Sequence, residues 1–120
     1  MFNFSKNVEY TVEPKASFHR AAKRQLKALA KELGLAVGTY DVRSNMGGIA
    51  VSGEVTLHSE SLYVDVSQSC MGPNMGILIR SCRGRKDYTG GRNNFAPLDL
   101  LNDIPALAER IRRTVPESFS

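Results

Sequence analysis

With 120 residues, of which 42% are hydrophobic and 23% charged, the chain has the size and composition of one globular domain spanning 1–120, not of a disordered tail. A formal charge of +4 makes it mildly basic, which favours anionic partners. No apolar run approaches the roughly 18 residues of a membrane span, and MFNFSKNVEYTVEP lacks an apolar stretch behind a basic start, so neither membrane insertion nor secretion is expected.

Val8, Tyr10 and Val12 alternate with Glu9, Thr11 and Glu13, a short strand pattern that Pro14 is expected to end. The period then changes. Phe18, Ala22, Leu26, Leu29 and Leu33 recur at spacings of four and three, predicting a helix from Ser17 to Leu33 with Ser17 as N-cap and Gly34 as the stop. Its opposite face carries Arg20, Lys23, Arg24, Lys27 and Lys31.

Period two returns in the middle of the chain. Tyr40 and Val42 alternate with Asp41 and Arg43, and a turn at Ser44–Gly48 follows. Ile49, Val51, Val55 and Leu57 then share one face, with Gly53 placed for a bulge. A turn at His58–Ser61 precedes Leu62, Val64 and Val66, which alternate with Tyr63 and Asp65. A glycine- and proline-bearing loop leads to a fourth strand, Ile77–Cys82, and a long loop, Arg83–Ala96, follows it. A second helix is expected with Asp103 as N-cap, Pro105 in the first turn and Ile104, Leu107, Ala108 and Ile111 as its apolar stripe; Pro116 stops it. The expected architecture is α+β: one antiparallel sheet of four or five strands, with two amphipathic helices packed on one face.

Catalytic chemistry finds little to work with. The histidines are His19, on the basic helix, and His58, assigned to a solvated turn; no G-x-S-x-G elbow occurs, and the carboxylates show no pairing at a useful spacing. No enzyme activity, metal or cofactor is expected. Cys70 and Cys82 lack the paired spacing of a zinc site and read as reduced thiols of a cytoplasmic protein. The glycine pairs at 47–48 and 90–91 match neither phosphate-binding glycine pattern.

One stretch stands apart. RSCRGRKDYTGGRNNF, Arg80 to Phe95, holds five cations, three glycines and a single acid. Arg80, Arg83, Arg85, Lys86 and Arg92 supply fork-shaped and point-like donors suited to phosphate or carboxylate. Tyr88 offers a stacking face, Asn93 and Asn94 offer amides, and the glycines allow close backbone approach. These residues are the expected binding surface for nucleic acid or a partner; the alternative is a solvated loop whose arginines pair locally. The basic helix face is a secondary surface.

Helix, strands, helix is also the order of double-stranded RNA-binding domains, but Pro97, Asp99 and Asp103 stand where those domains carry lysines, which argues against that family. YDVRSNMGGIAVSGEVTLHSESLYVDVSQS together with RSCRGRKDYTGGRNNF, within Tyr40 to Leu101, resembles a group of small proteins encoded on proteobacterial phages, plasmids and integrated elements. The resemblance implies a mobile-element accessory protein acting on host nucleic-acid machinery or inhibiting host defence, as anti-CRISPR proteins do. Many such inhibitors are acidic mimics of nucleic acid; a basic chain must instead bind nucleic acid or dock on an acidic surface of a host protein complex. The expected function is non-enzymatic binding of this kind by a monomer or homodimer. The alternatives are a nucleotide or other small anionic ligand binder, and an enzyme whose site the sequence does not reveal.

Overall fold

The computed structural model describes residues 12–45, 53–67, 73–87 and 91–119, and the side chains of 12–15 and of Pro73 lie outside that description. The elements run α1 (Val12–Glu32), β1 (Tyr40–Asn45), β2 (Glu54–Ser59), β3 (Leu62–Ser67), β4 (Ile77–Ser81), β5 (Asn94–Ala96) and α2 (Ile104–Thr114), with 3-10 turns at Pro73–Met75, Leu98–Asn102 and Pro116–Phe119.

Each strand pairs antiparallel with the next, giving a five-stranded meander in the order β1-β2-β3-β4-β5. The order follows the chain: β2 and β3 are joined by the two-residue turn Glu60–Ser61, and longer connections return the chain to the neighbouring strand elsewhere. Alternation decides the faces. Val55 and Leu57 of β2, Leu62, Val64 and Val66 of β3, and Ile77 and Ile79 of β4 are buried against Phe18, Leu26, Leu29, Leu107 and Ile111 from the two helices. Both helices therefore cover the apolar face as expected.

The C-terminal end of α1 is closed by its backbone. Gly34 adopts φ 77°, its N–H bonds the Lys31 carbonyl at 3.0 Å, and the Leu35 N–H reaches the Ala30 carbonyl at 2.9 Å. This paired closure satisfies carbonyls that the helix end would otherwise leave open. At the other end the expectation fails. The helix already begins at Val12, so Pro14 sits inside its first turn, where a missing N–H costs nothing, and does not terminate a strand. Ser17 is an interior helical residue whose hydroxyl accepts from Arg20 Nη2 at 3.1 Å; it is not the N-cap. The rest of the expected N-terminal strand, and the expected core residues Ile49 and Val51, lie outside the described residues.

α2 starts as expected: Asp103 Oδ1 accepts from the Ala106 N–H at 3.2 Å, with Pro105 in the first turn. Arg112 Nη2 donates to the Glu32 carbonyl at 3.0 Å and Arg110 Nη2 to the Phe95 carbonyl at 3.2 Å. The second helix is thereby tied to both α1 and the edge of the sheet. A further correction concerns the long loop, which contains β5: Leu78 stands opposite Phe95 and Ile79 opposite Asn94. Three residues between Asn93 and Pro97 are too few for alternation to reveal a strand.

Candidate functional site

The sheet face away from the helices is polar, and the strand register aligns its side chains in rows. Asp41, His58, Tyr63 and Arg80 face one another in sequence from β1 to β4, and Arg43, Thr56, Asp65 and Leu78 form the next row. Residues directly opposite on one face of antiparallel strands are within side-chain reach, so each row is a chain of contacts.

His58 is the centre of the first row. Its residue is wholly buried, which corrects its assignment to a solvated turn: β2 runs through Ser59, and only Glu60 and Ser61 turn the chain. Arg43 Nη2 lies 3.0 Å from Nδ1 and the Gly84 carbonyl lies 2.9 Å from Nε2. A guanidinium can only donate and a carbonyl can only accept. Nδ1 is therefore the acceptor, and Nε2 carries the proton it gives to Gly84. Burial lowers the His58 pKa; the Gly84 carbonyl opposes that shift, and Arg43 and Arg80 reinforce it. The imidazole also meets Tyr63 edge-on, with ring centroids 5.0 Å apart, and the Arg80 guanidinium lies 4.1 Å above the Tyr63 ring.

In the second row Thr56 Oγ1 donates to Asp65 Oδ1 at 2.9 Å. Burial and the neighbouring Glu54 carboxyl, to which Asp65 is hydrogen-bonded, push the Asp65 pKa up to about 7, against the opposing pull of Thr56 and Arg80. Two carboxyl groups in contact cannot both ionise cheaply, which adds to burial in raising Asp65. Burial, with the charge of Asp65, also raises the Tyr63 pKa. Carboxylates thus do pair here, across strands. The signal that could have found them is the turn: with Glu60–Ser61 as a two-residue turn, alternation places Thr56 opposite Asp65 and His58 opposite Tyr63.

The first half of the basic loop is clamped onto this face. Besides the His58–Gly84 bond, the Cys82 N–H bonds the Ser61 carbonyl at 3.0 Å, and the Cys82 thiol donates to the Ser59 carbonyl at 3.3 Å. The Asp87 carboxylate accepts from the Arg83 N–H at 3.0 Å while its own N–H reaches the Gly84 carbonyl at 3.1 Å, closing a turn. Arg85 Nε bonds Glu60 Oε1 at 2.9 Å, and its Nη1 is 3.8 Å from Asp41 Oδ1. The loop re-enters the described residues at Gly91, whose N–H bonds the Ser81 carbonyl at 2.9 Å.

The structure thus divides the residues expected to bind. Arg80 is half-buried on Tyr63 and Arg85 is paired with acids. Asn94 belongs to β5, its amide donating to the Ile79 and Arg92 carbonyls at 3.3 and 3.0 Å. Arg83, Lys86, Arg92 and Asn93 are exposed, and Tyr88 lies outside the described residues. On α1, Arg20, Arg24, Lys27 and Lys31 are exposed and Lys23 is half-buried. Among the described residues no group of three or more His, Cys, Asp or Glu is placed to hold a metal ion, and no helix is long and apolar enough to cross a membrane. No protein-family model, curated protein or solved structure matches the chain.

Proposed function

We propose that the protein is a non-enzymatic binder of nucleic acid, free or within a host nucleoprotein complex, and that the basic loop is its contact surface. One observation carries this reading: the loop is tied down by His58, Ser61, Glu60 and its own Asp87, while Arg83 and Lys86 project to solvent from the clamped turn. Cations already held in place lose less conformational freedom on meeting phosphates than cations on a loose loop. Arg92 and Asn93, anchored between the Gly91–Ser81 bond and β5, extend the same exposed run. Arg80 and Arg85 serve this surface from behind, by fixing the loop against Tyr63, Glu60 and Asp41. The resemblance to mobile-element proteins supplies the setting, in which such binding inhibits a host defence complex.

The test is a fluorescence-anisotropy titration of labelled single- and double-stranded oligonucleotides at several salt concentrations. With Arg83, Lys86 and Arg92 on phosphates, log affinity against log salt has a slope of about −2 for a single strand. Lys86→Ala and Arg92→Ala each make it shallower by about one unit or less. No binding to either oligonucleotide at low salt overturns the reading and turns attention to an acidic protein surface.

A further inference from the structure

We propose that the protein has a second nucleic-acid surface on α1, on the opposite side of the sheet from the loop, and that it bridges two duplex segments. The inference rests on the binding reading above and adds a new activity to it.

The geometry follows from one pair of adjacent residues. Leu57 is buried in the core with Phe18, Leu26 and Leu29 of α1, so its side chain points to the helical side. His58, next along β2, points to the other side, where it holds Gly84 of the loop. The Gly84 turn and α1 therefore lie on opposite faces of one sheet. The apolar stripe of α1 faces that sheet, which turns the other side of the helix outward, away from the loop by the thickness of the sheet and the helix together.

That outward side has the form of a phosphate contact. Arg20, Arg24, Lys27 and Lys31 are exposed at spacings of four, three and four, which keeps them in one row along the helix. Eleven residues of α-helix rise about 16 Å, a length that spans a few phosphates of a duplex backbone. Among the described residues no carboxylate lies within ion-pair distance of Arg24, Lys27 or Lys31. The row lies on the far side of the sheet from the Gly84 turn, so a duplex seated along it leaves that turn open to a second one.

Bridging is measured directly with one biotinylated duplex on streptavidin beads and a second, fluorescent duplex in solution. The wild-type protein is expected to retain the fluorescent duplex on the beads, with retention rising and then falling as protein is added in excess. Lys27→Glu with Lys31→Glu, and separately Lys86→Glu with Arg92→Glu, are each expected to cut retention about tenfold or more; the α1 variant keeps its single-duplex binding in anisotropy through the loop, whereas the loop variant binds a single duplex more weakly. Lys27→Gln with Lys31→Gln, which removes charge without reversing it, is expected to follow the same direction, and circular dichroism checks that each variant is folded.

Wild-type protein that binds one duplex but never bridges overturns the second surface and leaves the binding reading intact. Wild-type protein that binds neither duplex nor single strand fails the binding reading itself, and protein that binds single strands alone keeps that reading but overturns the bridging of duplexes. Full bridging by the α1 variants overturns the proposal. So does sedimentation showing that those substitutions convert a dimer to a monomer, because bridging would then come from two loops. Loop variants that bind phosphatidylserine vesicles but no duplex assign α1 to a membrane surface and also overturn it.

Discussion

The Nε2 atom of His58 lies 2.9 Å from the carbonyl oxygen of Gly84, so a buried residue of β2 holds a loop 26 positions further along the chain. The bond joins the fold to the surface that we assign to binding. Removing the ring leaves Arg43 and the Gly84 carbonyl without this partner and opens space on the sheet face.

His58→Ala is therefore expected to destabilise the protein by about 2 kcal/mol or more, from lost packing and lost hydrogen bonds together. Urea unfolding at pH 7.5 measures it. The same bond has a pH signature. Because the folded-state pKa of His58 is lowered, the folded protein resists protonation that the unfolded chain accepts near 6.5. Stability from this group is fully present above about pH 6.5 and is lost as pH falls below it. Unfolding curves for wild type and His58→Gln are expected to converge on going from pH 7.5 to 5.5; parallel curves would remove His58 as the acid-sensitive group.

Asp65 works in the opposite sense. Its folded-state pKa is raised from 3.8 to about 7, so the fold favours the protonated carboxyl. Its contribution is complete below about pH 4 and is lost as pH rises through about 7, with a slope no steeper than about 1.4 kcal/mol per pH unit for one proton. Asp65→Asn keeps the shape and an uncharged partner for Thr56 and Glu54. It is expected to flatten the stability profile between pH 5 and 8 and to be the more stable protein at pH 8. Thermal melts across that range check it, and an unchanged slope would remove Asp65 as the group responsible.

Arg85 and Lys86 are adjacent cations with different surroundings, and separate charge reversals distinguish them. Arg85→Glu faces Glu60 and Asp41 and is expected to cost about 1 kcal/mol, small because these side chains are 37%, 65% and 47% exposed and partly screened by solvent. Lys86→Glu is expected to change stability by less than about 0.5 kcal/mol while weakening oligonucleotide binding at least as much. Equal stability loss for the two, measured by chemical denaturation, would show that the Arg85 pairs do not anchor the loop.

Gly76→Ala tests the packing of the sheet against the 3-10 turn Leu98–Asn102. A Cβ at Gly76 would stand 2.6 Å from Leu98 Cβ and 3.0 Å from the Ser67 carbonyl oxygen, both rigid neighbours. Overpacking of this kind is expected to cost about 1–3 kcal/mol. A thermal melt matching wild type would show that the turn shifts freely.

Local patterns made much of this fold legible. The helical stripe from Phe18 to Leu33, the Gly34 stop, the Asp103 cap and the alternation in β2 and β3 rest on residues close in sequence, and the structure buries the expected side chains. Local punctuation also misled. Pro14 ends a strand or opens a helix with equal ease, and only the helix that follows decides between them. At His58–Ser61 a four-residue turn and a two-residue turn fit the same letters, and the choice moved His58 from a solvated turn into β2, where it is buried beneath the loop on the polar face.

By itself the sequence determined the class of fold, the apolar face of each element and where the cations are concentrated, because periodicity and charge are properties of neighbouring residues. Only the tertiary structure decided which of those cations remain exposed. Arg85 meets Glu60 and Asp41, and Arg80 meets Tyr63, across strand pairings that no spacing along the chain announces. The Glu54–Asp65 contact and the His58 clamp arise in the same way, from a register set when the sheet buries its other face. Charge is written along the chain, but its neutralisation depends on distances in space, and burial fixes those distances.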